Sequence, residues 1–425
     1  MSIALGCIGD DFTGSTDLAN NLVRSGLRVV MTNGVPQRSA PLDADAVVVA
    51  LKSRNISPAD AIEQSLGALT WLHAAGAQQF YFKVCSTFDS SASGNIGPVT
   101  EALMDALGTD FCCVAPAFPE TRRTLYMGHL FVGDLLLSDS GMRHHPLTPM
   151  TDANLVRVLQ AQCSRHVGLI EHTTVRAGAT AIHLRIAALR GEGVGLAIID
   201  ALDDHDLQQL SMALANAPLV VASAGLALGV ARGFIRGRIQ PTTPHADDLP
   251  RASGHKAVVS GSCSTATRSQ VLRFVEAGLP AFAIDPLRIA AGIDVVGETL
   301  ALAEAQLGSV PVLVYSAAVP ADVKAAQEQL GGDDAGKMVE RTLANIALGL
   351  VQRGVRQLLV AGGETAGACV QALGVESMSV GSQVDPGVPW CHADSPFAPE
   401  GIHLALKSGN FGAPDIFTRA FAELP

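Results

Sequence analysis

The feature that most constrains this chain is a unit that recurs along it. A short, almost wholly apolar run is followed by a turn of Gly, Ser or Asp, then by an Ala- and Leu-rich stretch of helical length. Ile3 to Ile8 reads as the first strand, running into Gly9-Asp10-Asp11-Phe12-Thr13-Gly14 and a helix through Asn20-Asn21-Leu22-Val23. Ala46 to Leu51, Gln79 to Val84 (after a helix ending near His73), Phe111 to Ala115 and Leu219 to Ala222 repeat the theme. Strands that are apolar without alternation must be covered on both faces, so the pattern predicts an α/β protein of mainly parallel sheets flanked by helices. Aromatic residues are only 4% of the chain, so Leu, Val, Ile and Ala must fill the cores.

Between Arg238 and His255 the pattern stops. Pro241-Thr242-Thr243-Pro244-His245 is polar and proline-punctuated, which favours an extended segment, and a new strand opens at Lys256-Ala257-Val258-Val259. The expected organisation is a domain over residues 1–240, a linker over 241–255 and a second domain over 256–425. Each is expected to be a parallel sheet flanked by helices, with the active site in the cleft between them. At 425 residues the chain is long enough for two or three such cores.

Composition removes several function classes. With 48% hydrophobic and 16% charged residues, long intrinsic disorder is excluded. A net charge of −11 argues against a nucleic-acid surface, which needs basic patches. No uninterrupted apolar run reaches membrane-spanning length, and Met1-Ser2-Ile3-Ala4-Leu5-Gly6 lacks a basic segment of the secretory kind. The eight cysteines form no C-x-x-C pair and sit mostly in apolar runs, as buried reduced thiols would. The expectation is a soluble cytoplasmic enzyme with no membrane or nucleic-acid partner.

In open parallel sheets ligands bind beyond the carboxyl ends of strands, so the strand-to-helix turns are the informative places. In the first, Gly9 to Asp17, one helix cap explains one aspartate but not three together with two glycines. Asp10 and Asp11 are candidates to accept a proton from a substrate hydroxyl, and Thr13 and Asp17 to bind one. The second runs from Lys83 through Cys85-Ser86-Thr87-Phe88-Asp89 to Gly94-Asn95-Ile96-Gly97. Lys83, Ser86, Thr87 and Asn95 suit a small, polyhydroxylated anion as well as they suit an ordinary solvated turn. Asp89 rivals Asp10 and Asp11 for the catalytic role. In the third, Arg122 and Arg123 offer forked contacts to a carboxylate or phosphate. The neighbouring His144-His145 pair is read as polar-loop packing before metal ligation, and no metal ligand is assigned.

The fourth group is the clearest. Ser260-Gly261-Ser262-Cys263-Ser264, Gly362-Gly363-Glu364-Thr365 and Lys407-Ser408-Gly409-Asn410-Phe411-Gly412 each follow an apolar strand. Three turns rich in glycine supply backbone N–H groups, hydroxyls and one lysine, Lys407, for an anion with several phosphates. Read together, the three turns are a candidate nucleotide site. By contrast, Gly331-Gly332-Asp333-Asp334-Ala335-Gly336-Lys337-Met338 imitates a P-loop but ends in Met and follows a helical stretch, so a helix–helix turn is expected there. No G-x-G-x-x-G follows a strand, which counts against a nicotinamide-dependent dehydrogenase.

Taken in order, Gly9-Asp10-Asp11-Phe12-Thr13-Gly14 with Asp17, the Lys83 to Gly97 segment and the three C-terminal turns resemble the four-carbon acid sugar kinases over nearly the whole chain. Within that family, Ser140 to Asp152 and the Ser260 to Ser264 turn are similar to the branch acting on 3-oxo-tetronates. D-threonate and D-erythronate 4-kinases are the nearest alternatives. The resemblance implies an acid-sugar-binding N-terminal domain, a C-terminal domain binding ATP through Ser260, Ser262, Ser264, Gly362, Gly363, Glu364, Thr365 and Gly409, and ATP-dependent phosphorylation of the C4 hydroxyl of a 3-dehydro-tetronate; Mg²⁺ is expected beside the triphosphate. The acid's carboxylate would meet Arg122, Arg123 or Lys83, and assembly as a homo-oligomer stays open. Ala153, and Ser91-Ala92-Ser93 ahead of Gly94, depart from the family pattern.

Overall fold

In the computed structural model, residues 3–36, 44–145, 148–230, 246–316 and 332–425 are described. The chain divides into two compact units, Met1–Ala246 and Asp247–Pro425. Residues 231–245, which carry most of the proline-punctuated break, lie outside the described residues.

The N-terminal unit contains β1 (Leu5–Gly9), β2 (Val29–Asn33), β3 (Ala46–Ala50), β4 (Gln79–Lys83), β5 (Cys112–Ala115), β6 (Arg123–Tyr126), β7 (His129–Val132), β8 (Leu135–Leu136), β9 (His166–Ile170), β10 (Val194–Ile199) and β11 (Leu219–Ala222). Its main sheet has the order β2-β3-β1-β4-β11-β5-β10-β9, and each of these pairings is parallel. β1 and β3 are buried at every position, as two-sided coverage demands. β6, β7 and β8 form a separate antiparallel sheet. Its β6–β7 turn is fastened from below by the buried Asp200 carboxylate, which accepts the N–H groups of Met127 (2.7 Å) and Gly128 (2.9 Å).

β1 is flanked by β3 on one side and β4 on the other, with Gly9 level with both Ala50 and Lys83. The segments leaving all three strands therefore emerge side by side at a switch in strand order, where doubly wound sheets open a crevice. That register carries Asp10 and Asp11 to the turn after Lys83 and to the turn after Ala50.

The C-terminal unit contains β12 (His255–Ser260), β13 (Ala281–Ile284), β14 (Val312–Ser316), β15 (Val355–Ala361), β16 (Ser377–Asp385), β17 (Val388–Ser395) and β18 (Ala398–Lys407), ordered β13-β14-β12-β15-β18-β17-β16. The first five of these are parallel, and β17 and β16 continue the sheet antiparallel. Ser260 is level with Ala361 and Ala361 with Lys407, so three neighbouring strands end together. The core on one face gathers Trp390, Phe274, Phe417 and Phe421. Trp390 is fully buried and its indole N–H donates to the Ala420 carbonyl (2.9 Å). Trp390→Ala removes the largest fully buried side chain among the described residues and leaves a cavity in this core, so an equilibrium urea melt is expected to register a loss of about 3–5 kcal/mol.

Gly332 onward, expected as a helix–helix turn, is instead the start of a helix, Gly332–Gln352. The helical stretch expected before it lies outside the described residues. Among the described residues no helix is long and apolar enough to cross a membrane.

Candidate active site

In the N-terminal unit the adjacent aspartates do not face one another uncompensated. Arg54, four residues beyond the end of β3, forks onto both oxygens of Asp10 (2.8 Å each) and donates a further bond to Oδ1 of Asp11 (2.5 Å). The Thr13 hydroxyl donates to the other Asp11 oxygen (3.1 Å). Burial pushes the Asp10 carboxyl up against the pull of Arg54. Burial acts likewise on Asp11, but Arg54 and Lys83 outweigh it and hold that carboxyl below the usual range. Asp10 is thus the enclosed member of the pair, and Asp11 the more exposed and more acidic one.

Lys83 ends β4 almost completely buried, and its ammonium donates to no described residue. It lies against Gly14, where a Cβ would fall 2.6 Å from Nζ and 2.2 Å from Oδ1 of Asp11. Only glycine leaves that space. Asp17, on the helix Phe12–Arg24, is buried with Oδ1 lacking a hydrogen-bond partner, and burial pushes its carboxyl up to about 6.

The sign of that shift sets a pH dependence. The unfolded carboxyl titrates near 3.9, so between about pH 4 and pH 6 the folded state keeps a proton that the unfolded chain has lost. Stability falls as pH rises through this window, and the full penalty stands above it. Asp17→Asn is expected to gain on the native chain by up to about 3 kcal/mol between pH 4 and pH 8 in urea melts. A difference independent of pH would sink this account of Asp17.

Asp89 accepts the Thr87 hydroxyl (2.6 Å) and the Cys85 thiol (3.1 Å). It lines a small cavity with Asp10, Ser53, Arg54, Ser90 and Asn95. Asn95 stands at the N-cap position of the helix Ile96–Leu107, but its side chain makes no capping bond. Its amide nitrogen donates to the carbonyls of Ser53 (2.8 Å), Arg54 (3.1 Å) and Ile56 (3.0 Å), and its Oδ1 is buried without a partner. Ser86 is half-buried and its hydroxyl bonds to no described residue.

Arg122 and Arg123 are not drawn into this network. Arg122 sits in the left-handed region (φ 59°), exposed, with its guanidinium against Gly133. Arg123 folds back onto the Thr121 carbonyl (2.6 Å). His145 accepts the Thr148 N–H (3.1 Å), which is loop packing. Arg54 is the residue the sequence reading passed over. The available signal was a cation placed after an apolar strand, but its value depends on β3 lying beside β1.

In the C-terminal unit the three strand-end turns are wired together. The Ser264 hydroxyl caps the helix Thr265–Glu276 and donates to the Gly409 carbonyl (2.5 Å), as does that of Thr267 (2.7 Å). The Gly362 N–H donates to the Lys407 carbonyl (2.9 Å). Lys407, a possible phosphate ligand on sequence grounds, turns inward. Its amine donates to the Thr267 hydroxyl (3.0 Å) and to the carbonyls of Ser408 (3.1 Å) and Gly409 (3.3 Å), and burial lowers it to about 7. It fastens the Gly409 turn from behind.

Above these turns lies a cavity of about 300 Å³ lined by Ser262, Gly362, Gly363, Glu364, Thr365 and Gly409. Ser260 ends β12 beside it, buried. Gly362 has φ +121°, a region closed to other residues, and a Cβ there would fall 3.3 Å from the Ser262 N and 3.0 Å from the Thr365 hydroxyl. The helix Gly363–Ala372 makes its first bond from Ala366 N–H to Gly362 O, so the N–H groups of its first turn stand ahead of the helical ladder at the edge of the cavity. This is a cradle suited to phosphate oxygens. Gly336 and Glu340, from the segment set aside as a P-loop imitation, also line it, as part of a helix.

Two units on mainly parallel sheets, one with paired carboxylates and buried cations at its strand ends and one with a glycine-lined cavity at its own, are the layout of a small-molecule kinase. Residues 5–230 match the family described as sugar-binding N-terminal domain, and residues 257–417 the nucleotide-binding C-terminal domain. A Burkholderia multivorans protein named 3-oxo-tetronate kinase is 56% identical over 420 residues, covering 99% of this chain and 97% of its own. A Pseudomonas fluorescens protein of the same name is 53% identical over 423 residues, with 99% and 97% covered. A solved structure from Haemophilus influenzae is 42% identical with a TM-score of 0.81, covering 98% of this chain and 99% of its own. One from Salmonella typhimurium LT2 is 40% identical with a TM-score of 0.88, covering 99% and 100%. The chain belongs to the four-carbon acid sugar kinase family, in the branch whose members are named 3-oxo-tetronate kinase.

Proposed function

We propose that the protein phosphorylates the C4 hydroxyl of 3-oxo-tetronate (3-dehydro-tetronate) with ATP, in the cytoplasm, giving the 4-phosphate and ADP. The observation that carries this reading is the convergence of three strand ends on one phosphate cradle, in a chain more than half identical to proteins named for that activity.

ATP supplies the transferred phosphoryl group. The N–H groups of Gly363 to Thr365, the Ser262 hydroxyl and the close backbone at Gly362 and Gly409 would hold its phosphates. Ser260 and Ser264 would shape the cradle from behind. Mg²⁺ fits the same cavity, because Glu340 and Glu364 both line it and the ion needs only one or two carboxylates beside phosphate oxygens.

On the acceptor side, Lys83 is our choice for the acid's carboxylate. A buried ammonium without an acceptor is stabilised by an anion more than any exposed arginine would be. Thr13, Asp17, Ser86 and Thr87 would meet substrate oxygens, while Asn95 would support the turn carrying Arg54. Asp11 would accept the hydroxyl proton as the oxygen attacks, with Asp89 as the second candidate. Transfer of this kind is mostly positioning and charge stabilisation.

A coupled ADP-release assay over L- and D-3-dehydrotetronates, D-threonate and D-erythronate tests the reading. Release with a 3-oxo acid is expected. Activity on D-threonate with none on the oxo acids would move the chain to the neighbouring activity, and ADP release with no acid would overturn the kinase reading.

A further inference from the structure

We propose that Arg54 is the positioning residue of the acceptor site, holding Asp10 as its buried counter-ion so that Asp11 is left ionised and aimed at the substrate hydroxyl. This rests on the reading that the aspartate pair serves that hydroxyl, and goes beyond it by dividing the pair's labour.

The turn carrying Arg54 is tied at both ends. The N–H groups of Ser53 and Arg54 both donate to the Asp10 carbonyl (3.0 Å each), and Asn95 grips three carbonyls of residues 53–56. The guanidinium then occupies both Asp10 oxygens and one of Asp11 through Nε and Nη2. Both Asp10 oxygens are taken up by the one planar fork and its carboxylate is almost fully buried, whereas Asp11 is held by separate donors, Arg54, Thr13 and the Gly14 N–H, and its carboxylate is the more exposed. A planar fork can bridge two carboxylates in this way; a lysine ammonium, a point charge, cannot hold the same geometry. The charged and titratable groups facing Arg54 are Asp10 and Asp11 after β1, and Cys85 after β4. Those facing the aspartates also include Lys83 and, across the helix Phe12–Arg24, Asp17. Asp89 shares the small cavity with Arg54. Lys83 alone cannot offset so many carboxylates, so loss of Arg54 must raise the pH at which Asp11 takes up a proton.

The experiment compares Arg54→Met, Arg54→Lys and Asp11→Asn in full-length protein, following ADP release with the acid acceptor from pH 5 to 9, with thermal melts as the fold control. For Arg54→Met, kcat is expected to fall at least tenfold at pH 7, the acidic limb of kcat/KM to move up by about one pH unit, and KM for ATP to stay within twofold. Arg54→Lys is expected to recover part of the limb's position. A folded Arg54→Met or Arg54→Lys enzyme whose acidic limb is unmoved overturns the proposal. So does a rise confined to the acid's KM, which would make Arg54 a substrate contact. If Asp11→Asn keeps native kcat, the reading of the aspartates fails instead, whatever Arg54 does.

Discussion

Asp11→Asn is expected to lower kcat by about 100-fold or more, with KM for ATP changed by less than twofold. General-base assistance contributes roughly 10²–10⁴ to such reactions, and at about 1.4 kcal/mol per decade this is the largest single-residue effect the site offers. Asparagine preserves the shape and the bonds from Arg54 only in part, because its amide nitrogen cannot accept them. What it removes outright is the proton acceptor. Steady-state ADP release, with ATP and the acid varied independently, reads the split. A fall of less than tenfold would take Asp11 out of the catalytic role and leave Asp89 as the candidate. Asp89 already carries two local hydrogen bonds, from Thr87 and Cys85, so its substitution is expected to disturb the turn as well as the chemistry.

The second large effect falls on the nucleotide side. Gly362→Ala forces an L-residue into φ +121° and sets a methyl 3.3 Å from the Ser262 backbone nitrogen. Strain of this kind costs about 1–3 kcal/mol. Its relief must shift the turn that leads into the first turn of the helix Gly363–Ala372. KM for ATP is expected to rise at least tenfold while KM for the acid stays unchanged. Cys263 gives an independent readout, being an exposed thiol on the lining of the cradle. ATP is expected to slow its alkylation in the native protein and to lose that protection in Gly362→Ala. Protection that survives in the variant would place the nucleotide elsewhere.

Much of the architecture was legible because buried parallel strands are continuous apolar runs. Ala46–Ala50, Cys112–Ala115 and Leu219–Ala222 lie within a residue or two of where the runs of Val, Ile and Ala put them. The strand-end turns followed, since glycine, serine and aspartate clusters interrupt those runs. The antiparallel strands β16 and β17 were not legible. Their burial does not run as the continuous apolar stretch of the parallel strands, and register slips break their alternation. Nor does periodicity give strand order. That is why Arg54, brought to Asp10 only because β3 lies beside β1, went unnoticed, while Arg122 and Arg123 drew attention by sequence proximity alone. Lys407 shows a related limit. Its place at a strand end suggested an anion ligand, but the direction of a side chain at the last residue of a strand is set by packing, and here it points at Thr267 and the Gly409 turn.

The claim on which the account turns is that a phosphoryl group passes from ATP to the terminal carbon's oxygen of a four-carbon oxo acid. Proton-coupled ³¹P NMR of the enzyme with ATP and 3-oxo-tetronate reads this without an intermediary. The C4 carbon bears two hydrogens, so the account predicts a new phosphomonoester triplet growing in step with ADP. A doublet, which phosphate on the C2 oxygen would give, or free phosphate and ADP with no ester signal, would contradict it.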